Sequence, residues 1–450
     1  MKSLWSKTIS LPKKESLKED IRVQNVVIGA GMAGILIAYF LQECGHEVVV
    51  LEANEIASGQ TKNTTAKITS QHGLIYHNMI KNLGLEKARI YANANETAIR
   101  QYKRIITKEG ISCDYKELPS FLYATREDGI DKLKRELRAA RACGIQAEYV
   151  RGEEIKELPF DIVGAVKFEQ QAQFHPLKFI HAIVDKLTIY EHTKVLEVDG
   201  SFVITEKNVI VADNVIFATH YPFPIVPGYY FLRQHQSRSY ALALEGEGVP
   251  TQLDGMYLGI DKDTLSLRCA EDRLILGGST HRTGKKMKEG AFCHLRKQAK
   301  FYYPDAVESE AWAAQDCMPH DGVPFIGRYT MKHENWYIAT GFQKWGMTTA
   351  MVSAMVISDA ISGRENPWAE IFKPQRLQIK AGWKNFLIDV WESVLGLSKG
   401  LFKKKLDRCS HMGCALTWNE EEQSWDCSCH GSRYTKDGRI IDAPARCDIK

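Results

Sequence analysis

The sequence predicts an α/β protein built on a doubly wound parallel sheet, with a small separate unit at the C-terminal end. Val26-Val27-Ile28 has the pattern of a buried strand and continues directly into the turn Gly29-Ala30-Gly31-Met32-Ala33-Gly34. Residues 33–44 then form an apolar helix, and residues 47–51 form a second strand. This order of strand, glycine-rich turn, helix and strand is how such a sheet begins. The separate unit is predicted because five of the eleven cysteines crowd into the last 42 residues.

The three glycines of the turn have the spacing of a dinucleotide site. Gly29 permits the tight turn, Gly31 lets a pyrophosphate touch the backbone, and Gly34 lets the helix pack closely on the strand. The phosphates then meet free N–H groups at the helix N-terminus. Glu52 closes the second strand, where it can accept hydrogen bonds from an adenosine ribose. A glycine-rich structural turn without a ligand is the alternative.

The composition is that of an ordinary folded protein. The chain has 450 residues, of which 44% are hydrophobic and 25% are charged. Its net charge of +4 is small for this length, so no nucleic-acid partner is expected. We find no run of about 18 apolar residues that would span a membrane, and no apolar stretch of a signal peptide. Six cysteines are scattered singly, as in reduced intracellular proteins, so we expect a cytoplasmic location.

A resident FAD fits the pattern better than a visiting NAD. The chain has only one glycine-rich unit of this kind, whereas an enzyme fed by NADH usually needs a second nucleotide domain. A late strand at residues 336–339 leads through a glycine-containing loop to a helix at residues 347–361. The positive end of that helix dipole would stabilise negative charge on a reduced flavin. The polar loop 57–67 would suit phosphate and flavin-edge contacts, with a solvated connector as the alternative.

The segments between these pieces alternate in type. Residues 74–143 have a helical pattern, most strongly amphipathic from residue 127 onward. Residues 189–218 return to short strands, which fits re-entry into the nucleotide domain. Plausible antiparallel strands follow at residues 240–244, 256–260, 265–269 and 274–278.

Residues 1–375 resemble the D-amino-acid oxidase and glycine oxidase group of FAD-dependent oxidoreductases. The matching pieces are Gly29, Gly31, Gly34 and Glu52, the start of the loop at 57–59, and residues 215–219, 322–327 and 341–348. The resemblance implies a doubly wound, Rossmann-like FAD-binding domain made of residues 1–73, 150–220 and 310–375. An inserted α+β substrate domain would comprise residues 74–149 and 221–309.

The same resemblance implies the cofactor contacts. The residues expected at the FAD are Gly29, Gly31, Gly34, Glu52, Ala53, Ser58, Gly59, Thr65, Ala66, Val195, Ala218, Thr219, Gly341, Gly346, Met347 and Thr348. Two departures leave the substrate class open. The usual glycine-rich, arginine-bearing loop after Ser58 is replaced by residues 61–67, and the usual Ala-Thr-Gly ends in His220.

The implied activity is two-electron oxidation of a C–N bond by hydride transfer to flavin N5, on an amine or amino acid. Lys67, His281 and Lys344 are the catalytic candidates, each with ordinary structural use as the alternative. Cys317 falls roughly where some amine oxidases of this group attach FAD covalently. Buried cysteines more often serve as small apolar side chains, and this is the favoured reading.

The last residues contain histidines and cysteines at the spacing of metal ligands. Cys409-x-His411 is followed after fifteen residues by Cys427-x-x-His430. Two thiolates and two imidazoles can hold zinc. A Rieske [2Fe-2S] centre uses two cysteines on one iron and two histidines on the other. A plain disulfide knot is the third interpretation.

Residues 406–450 closely resemble a Rieske domain, a small all-β unit. The resemblance implies that Cys409 and Cys427 ligate one iron and that His411 and His430 ligate the other. It also implies that a disulfide between Cys414 and Cys429 braces the two cluster loops.

Two further matches concern the cluster's surroundings. Ser432 and Tyr434 stand where hydroxyl groups hydrogen-bond a bridging sulfide and a ligand thiolate in high-potential Rieske proteins. Such bonds favour the reduced cluster and raise its potential. Residues 442–445 resemble the proline loop that shields the cluster, whereas Ser428 replaces a usual proline.

Residues 376–405 are predicted to be an amphipathic helical linker between the two units. Trp383, Phe386, Leu387, Val390 and Trp391 fall at helical spacing, and three lysines follow at 403–405. A helix of this kind can lie on a membrane surface, which would give peripheral membrane contact through residues 383–405. Packing of the apolar face on its own protein is the commoner use and is favoured.

Taken with the two resemblances, these patterns predict an FAD-dependent dehydrogenase with a Rieske cluster as its electron exit. Rieske potentials of about −150 to +300 mV lie above that of a free flavin, so electrons should pass singly from FAD to the cluster. The final acceptor would be an external protein or a quinone. One alternative is an oxidase whose FAD meets O₂ directly while the cluster is structural, and another is a redox sensor or electron carrier without turnover. A Rieske oxygenase is disfavoured, because the sequence offers no convincing site of two histidines and one carboxylate for a further iron.

Overall fold

The computed structural model describes residues 2–224, 227–376, 379–401 and 408–449. Lysines 403–405, the predicted basic end of the linker, lie outside this range. The described α-helices are α1 (Leu4–Thr8), α2 (Met32–Glu43), α3 (Ile75–Leu83), α4 (Leu85–Glu109), α5 (Glu127–Ala142), α6 (Pro176–Val184), α7 (Ala291–Tyr302), α8 (Gly346–Ile361), α9 (Ala369–Phe372) and α10 (Ile379–Leu401).

Strands supply three sheets of the main body and one of the C-terminal unit. In the first part of the chain they are β1 (Ile21–Ile28), β2 (Val48–Leu51), β3 (Lys67–Ile68), β4 (Lys116–Glu117), β5 (Ser120–Ala124), β6 (Ala147–Arg151), β7 (Gly164–Phe168), β8 (Ala172–Gln173), β9 (Thr188–Tyr190), β10 (Val195–Asp199), β11 (Phe202–Thr205) and β12 (Val209–Phe217). Those that follow are β13 (Gln234–Glu245), β14 (Met256–Gly259), β15 (Ser266–Ala270), β16 (Arg273–Arg282), β17 (Val307–Pro319), β18 (Phe325–Arg328), β19 (Trp336–Thr340), β20 (Leu416–Asn419), β21 (Ser424–Cys427), β22 (Arg433–Thr435) and β23 (Ile440–Asp442).

The first sheet is the predicted doubly wound sheet. Its order is β10-β11-β12-β1-β2-β9, with β19 paired to β12 and β18 to β19. Strands β12, β1, β2, β9 and β19 run parallel, and Val26 and Val27 in the central strand are fully buried. Because parallel strands end at the same edge, the residues that follow β1, β2 and β12 meet there. The glycine turn, Glu52 and Ala218 are those residues.

Helix α2 begins directly after the glycine turn and is buried along most of its length. It packs against α8, which follows β19, and both belong to the main hydrophobic core. Neither helix shows a polar face because each is covered by protein on nearly every side. The turn before α2 and the loop before α8 are therefore both held in fixed positions.

The second sheet has the order β17-β13-β16-β15-β14-β5-β7-β6. The helical prediction for residues 74–143 is wrong over β4 and β5. Every residue of β5 is buried, since this strand lies between β14 and β7, so its apolar run belongs to a central strand. The predicted domain boundaries at 150 and 310 fall within the second sheet, because β6 and β17 pair there.

The C-terminal unit is a four-stranded antiparallel sheet, β20-β21-β22-β23, preceded by α10. A network of buried charges joins it to β13 of the main body. Arg238 donates to Glu422, and Glu422 also accepts from Arg433 at 2.8 Å. Arg433 further pairs with Asp426 at 2.9 Å and with Asp442 at 3.1 Å. The Arg238, Glu422 and Arg433 side chains are 3–6% exposed, so these charges are satisfied by one another rather than by water.

Helix α10 does pack on the protein, but most of its large apolar side chains are exposed, although Phe386 contacts the His320 ring with 6.2 Å between ring centres. Its buried positions are Gly382, Asp389, Gly396 and Gly400, whereas Trp391 is 61% exposed. The favoured expectation, that the apolar face would cover the protein itself, is therefore wrong. No helix among the described residues is long and apolar enough to cross a membrane.

Replacing Glu422 with Gln should destabilise the holoprotein. The substitution removes the carboxylate charge while the two buried arginine charges remain, and breaking a buried pair costs about 3–5 kcal/mol. Chemical unfolding followed by far-ultraviolet circular dichroism measures the loss. Glu420→Gln, at an exposed position of the same hairpin, should change the unfolding free energy by less than about 0.5 kcal/mol. Equal stability of the two variants would contradict the role given to the network.

Candidate functional site

The glycine turn after β1 has room only for glycine at two positions. Gly29 has φ +107°, and a Cβ there would stand 2.6 Å from the carbonyl oxygen of Ala218. A Cβ on Gly34 would overlap the carbonyl oxygen of Gly29. Thr61 Oγ1 accepts a hydrogen bond from the Met32 N–H at 2.9 Å, so the polar loop reaches the start of α2. Strand, turn and helix are thus brought as close together as dinucleotide binding requires.

Glu52 lies beside this turn at the end of β2. Its carboxylate accepts hydrogen bonds from the backbone N–H groups of Ala30 and Asn54, both at 2.8 Å. Burial raises the pKa of Glu52, and these bonds to the ionised form oppose that rise. The side chain is therefore held in place at the edge where an adenosine ribose is expected.

A cavity of about 1560 Å³ opens from the turn and extends along the carboxyl edge of the sheet. It exceeds the roughly 300–1,000 Å³ of common ligand pockets, so it has room for a dinucleotide and a small substrate together. The predicted FAD residues that line it are Gly29, Gly31, Glu52, Ala53, Ser58, Gly59, Thr65, Val195, Ala218, Thr219, Gly346 and Met347.

Four predicted FAD residues do not line this cavity and instead shape its wall. Gly34 holds α2 against β1, and Ala66 is fully buried. A Cβ on Gly341 would stand close to the side chain of Pro319. Thr348 Oγ1 donates to the Thr69 carbonyl at 3.2 Å. The first residues of α8 still face the cavity, with the helix N-terminus directed at it.

Lys67, a predicted catalytic candidate, lines the cavity. Its Nζ donates to the Tyr257 carbonyl at 2.8 Å and to Ser266 Oγ at 2.7 Å. Burial, reinforced by the nearby Arg268 guanidinium, lowers the pKa of Lys67 to about 7. Arg268 itself donates to the carbonyls of Thr65 and Ala66, both at 2.7 Å, and thereby fixes the loop that carries Lys67.

Lys344 also lines the cavity, and Asp316 is near it. The Lys344 Nζ donates to Thr280 Oγ1 at 2.7 Å. Loss of hydration at the cavity wall lowers the pKa of Lys344 to about 8 although its side chain is partly exposed, an effect that Asp316 opposes. Burial also disfavours the charged form of Asp316 and therefore raises its pKa to about 7. Asp316 was not among the predicted site residues, because the alternating pattern of β17, on which it lies, does not stand out in the sequence.

Two other candidates stay away from the cavity wall. His281 stacks on the ring of Tyr240, with 5.5 Å between ring centres, and only Tyr240 of this pair lines the cavity. Cys317 is 1% exposed and contacts the carbonyl oxygen of His220 at 3.5 Å. Neither side chain therefore lines the cavity, and the burial of Cys317 fits the favoured interpretation of a small apolar side chain.

The C-terminal unit gathers the four predicted cluster ligands. Cys409 and Cys427 are buried and close enough to interact, and the rings of His411 and His430 lie 5.1 Å apart. Burial lowers the pKa of His411 to about 4 and that of His430 to about 3, so both are neutral, as metal-binding imidazoles must be. Among the residues that the structure describes, the buried Nδ1 of His430 has no hydrogen-bond partner, which fits a nitrogen directed at a metal.

Tyr434 lies where the resemblance placed it. Its hydroxyl is 3.2 Å from the Cys409 sulfur and 3.0 Å from the Ser410 backbone nitrogen. Cys414 and Cys429 are free thiols in this structure, and their sulfurs lie within 4.8 Å of each other and of Cys427. The disulfide between them stays a prediction.

The cavity continues to the cluster loops. Ser410, His411 and every residue of 440–448 line the same cavity as the glycine turn. Gln60 of the polar loop donates to Asp442 at 3.1 Å. Phe231 stands against both predicted ligand histidines, with ring centres 6.1 and 5.6 Å from theirs. The dinucleotide site and the cluster site therefore share one enclosure.

A group of two histidines and one carboxylate does occur, contrary to the sequence-based expectation. His235 Nδ1 and His320 Nδ1 face Asp389 Oδ2 of α10, at 3.5 and 3.3 Å. Such a set can hold iron. Here the Arg282 guanidinium pairs with the other oxygen of Asp389 and balances its charge. We assign the group to an ion-pair network that anchors α10.

Family models match both units of the chain. The model described as FAD dependent oxidoreductase matches residues 25–360, and the Rieske [2Fe-2S] domain model matches residues 370–450. A Rieske 2Fe-2S iron-sulfur protein of Bacillus subtilis, YhfW, is 32% identical over 496 aligned residues, which cover 98% of this chain and 95% of that protein. An iron-sulfur subunit of the cytochrome b6-f complex of Nostoc sp. is 44% identical over 45 residues, covering 10% of this chain and 25% of the subunit.

Solved structures share the fold of the larger unit. Glycine oxidase from Geobacillus kaustophilus has a TM-score of 0.66 at 16% identity, covering 79% of this chain and 99% of that one. L-proline dehydrogenase from P. horikoshii has a TM-score of 0.66 at 19% identity, covering 79% and 98%. With these matches, the chain belongs to the FAD-dependent oxidoreductase family, binds FAD in its larger unit, and carries a C-terminal Rieske domain that binds a [2Fe-2S] cluster.

Proposed function

We propose that the protein is a dehydrogenase that oxidises the C–N bond of an amine or amino acid and releases the electrons one at a time through its Rieske cluster to an external acceptor. The observation that carries this proposal is the shared enclosure. Ser410 and His411 of the cluster loop line the same cavity as the FAD-binding turn at Gly29. A cluster with a purely structural role would have no need of a place at the flavin cavity.

The residues present fit both cofactors. The glycine turn, Glu52 and the first turn of α8 would hold FAD, and Cys409, His411, Cys427 and His430 would hold the cluster. When bound, FAD supplies a two-electron acceptor for hydride and the cluster supplies a one-electron relay. The protein's part is to position the substrate, exclude water and hold protons.

Asp316 and Lys344 are the groups suited to an amine or amino acid. With its pKa raised to about 7, Asp316 can bind the ammonium group of a substrate or take its proton at neutral pH. Lys344 can pair with a substrate carboxylate when it is protonated. Arg238 lines the cavity too, but its charge is already balanced by Glu422. The structural neighbours named glycine oxidase and L-proline dehydrogenase support an amino-acid class of substrate.

The remaining expectations belong to this proposal. A cytoplasmic location is supported by the singly scattered cysteines. The Cys414–Cys429 disulfide would close over the cluster loops, and its support is the closeness of the two sulfurs. The acceptor would be a protein or a quinone that approaches from the side of the C-terminal unit.

The route of the electrons can be tested by rapid mixing of the holoprotein with amines and amino acids in the absence of air. A substrate should bleach the flavin absorbance first and the cluster absorbance afterwards. In Cys409→Ser, which loses a cluster ligand, the flavin should still bleach. A flavin that is reduced while the cluster stays oxidised would contradict the proposal. Unchanged turnover of Cys409→Ser with O₂ would indicate an oxidase instead.

Tyr434→Phe should lower the cluster's midpoint potential. The change removes the hydrogen bond from the Tyr434 hydroxyl to the Cys409 sulfur. That bond favours the reduced cluster, so its loss lowers the potential. A bond worth about 1 kcal/mol corresponds to about 40 mV for a one-electron couple. Spectroelectrochemical titration measures the shift, with Tyr149→Phe, in the second sheet, as the control that should leave the potential unchanged. A potential equal to that of the unsubstituted protein would show that the hydroxyl does not act on the cluster.

Lys67→Met should lower the flavin's midpoint potential at pH 6 and change it little at pH 9. Because the pKa of Lys67 is about 7, its side chain is a cation below that pH and neutral above it. Only the cation stabilises a reduced, negatively charged flavin. In a two-electron couple, each 1.4 kcal/mol of such stabilisation raises the midpoint potential by about 30 mV. Redox titration at the two pH values measures the difference. The exposed Lys207→Met is the control, and an equal shift at both pH values would argue against a charge effect of Lys67.

A further inference from the structure

Helix α10 turns its apolar side chains to solvent. Its exposed large apolar residues are Trp383, Phe386, Leu387, Ile388, Val390, Trp391, Val394, Leu397 and Leu401, which are 38–73% exposed. A surface helix of a folded protein usually directs such residues at the core. Contiguous apolar patches of this kind mark a surface that binds a protein or a membrane.

The helix cannot roll to bury this face. A Cβ on Gly396 would overlap the Cys429 sulfur, and a Cβ on Gly400 would overlap the Gly413 carbonyl oxygen. The Gly396 carbonyl also accepts from the Ala415 N–H at 3.0 Å. Any larger residue of α10 placed at these positions would collide with the C-terminal unit. The side with glycines is therefore the only side that can face the protein.

The charged side chains of α10 also differ between its protein-facing side and its exposed side. The two acidic residues of α10, Asp389 and Glu392, face the protein, where they pair with Arg282 and with Lys285 at 2.6 Å. Lys384 and Lys399 are exposed, and in the sequence the helix leads on to three consecutive lysines at 403–405. The exposed side of α10 thus combines apolar side chains with positive charge only.

We infer that this face of α10 docks on the surface of an anionic lipid bilayer. Tryptophan, phenylalanine and leucine with flanking lysines are the composition of helices that lie in the membrane interface, where apolar groups enter the lipid and lysines meet anionic head groups. A second copy of this chain would bring the same lysines against each other. The absence of acidic side chains on the face favours lipid over a like-charged copy.

Docking would set the cluster beside the membrane. The buried side of α10 touches Cys429, so a single helix of about 10–12 Å diameter lies between that cysteine and the lipid. Leu232 and Tyr229, both 46% exposed, flank Phe231, which touches both ligand histidines, and residues 230–232 contact α10. If the proposed electron route holds, the external acceptor is then a lipid-soluble quinone. The docking itself does not rest on that route.

Co-sedimentation of the oxidised holoprotein with vesicles tests the docking. Vesicles of phosphatidylcholine mixed with phosphatidylglycerol should bind the protein at least about tenfold more tightly than vesicles of phosphatidylcholine alone, and less tightly as salt is raised. The double variant Leu387→Ser/Trp391→Ser should lose at least about tenfold of this affinity. Phe301→Ser, at an apolar position on α7 that is 79% exposed, should bind as before.

Several results would overturn the inference. The first is that the protein does not sediment with anionic vesicles at low salt. The second is that the double variant sediments as well as the unsubstituted protein, while its flavin and cluster absorbances show that it is folded. If the unsubstituted protein forms a dimer and does not bind vesicles, and the double variant is a monomer, the face would instead bind a second copy of the chain. Because no substrate is present, these outcomes are independent of the electron route tested above. Lys384→Glu/Lys399→Glu should selectively remove the preference for anionic lipid, and its retention would also count against the inference.

Discussion

Glu422 is shared by two arginines that come from different units of the chain, and the relation between the flavin and the cluster depends on this contact. Arg238 belongs to the second sheet and Arg433 to the C-terminal sheet. Charges buried to this extent are tolerated only when each one has its partner, so a rotated or displaced C-terminal unit would leave unpaired charge in the interior. The network therefore permits one orientation, which is the orientation that makes the cluster loops part of the cavity wall.

The parts of the fold that could be predicted from sequence are those determined by near neighbours. The turn at Gly29 and Gly34, the helix after it and the ligand spacing of Cys409-x-His411 depend on residues a few positions apart. Strand β5 was mistaken for helix because its apolar run is explained by its sheet neighbours β7 and β14, of which β14 is more than a hundred residues away. Asp316 was missed for a similar reason, since its place at the cavity follows from the pairing of β17 with β13.

The linker helix shows a different limit of sequence analysis. Hydrophobic periodicity identifies an apolar face and a polar face, but it does not say which of them meets the protein. Here the answer comes from Gly396 and Gly400, whose lack of side chains lets α10 lie against the C-terminal unit. The two glycines could be seen in the sequence, but their role could not. It depends on contacts with Cys429 and Gly413 that form only when the chain folds.

The cavity wall also has consequences for how the protein matures. Residues 440–448 are synthesised after the residues of the flavin pocket, and they form a wall of the same cavity. A large, charged nucleotide enters more readily before that wall is in place. Loading of FAD would then precede insertion of iron and sulfide, and a chain truncated before the C-terminal unit would exchange its flavin more rapidly than the full-length protein.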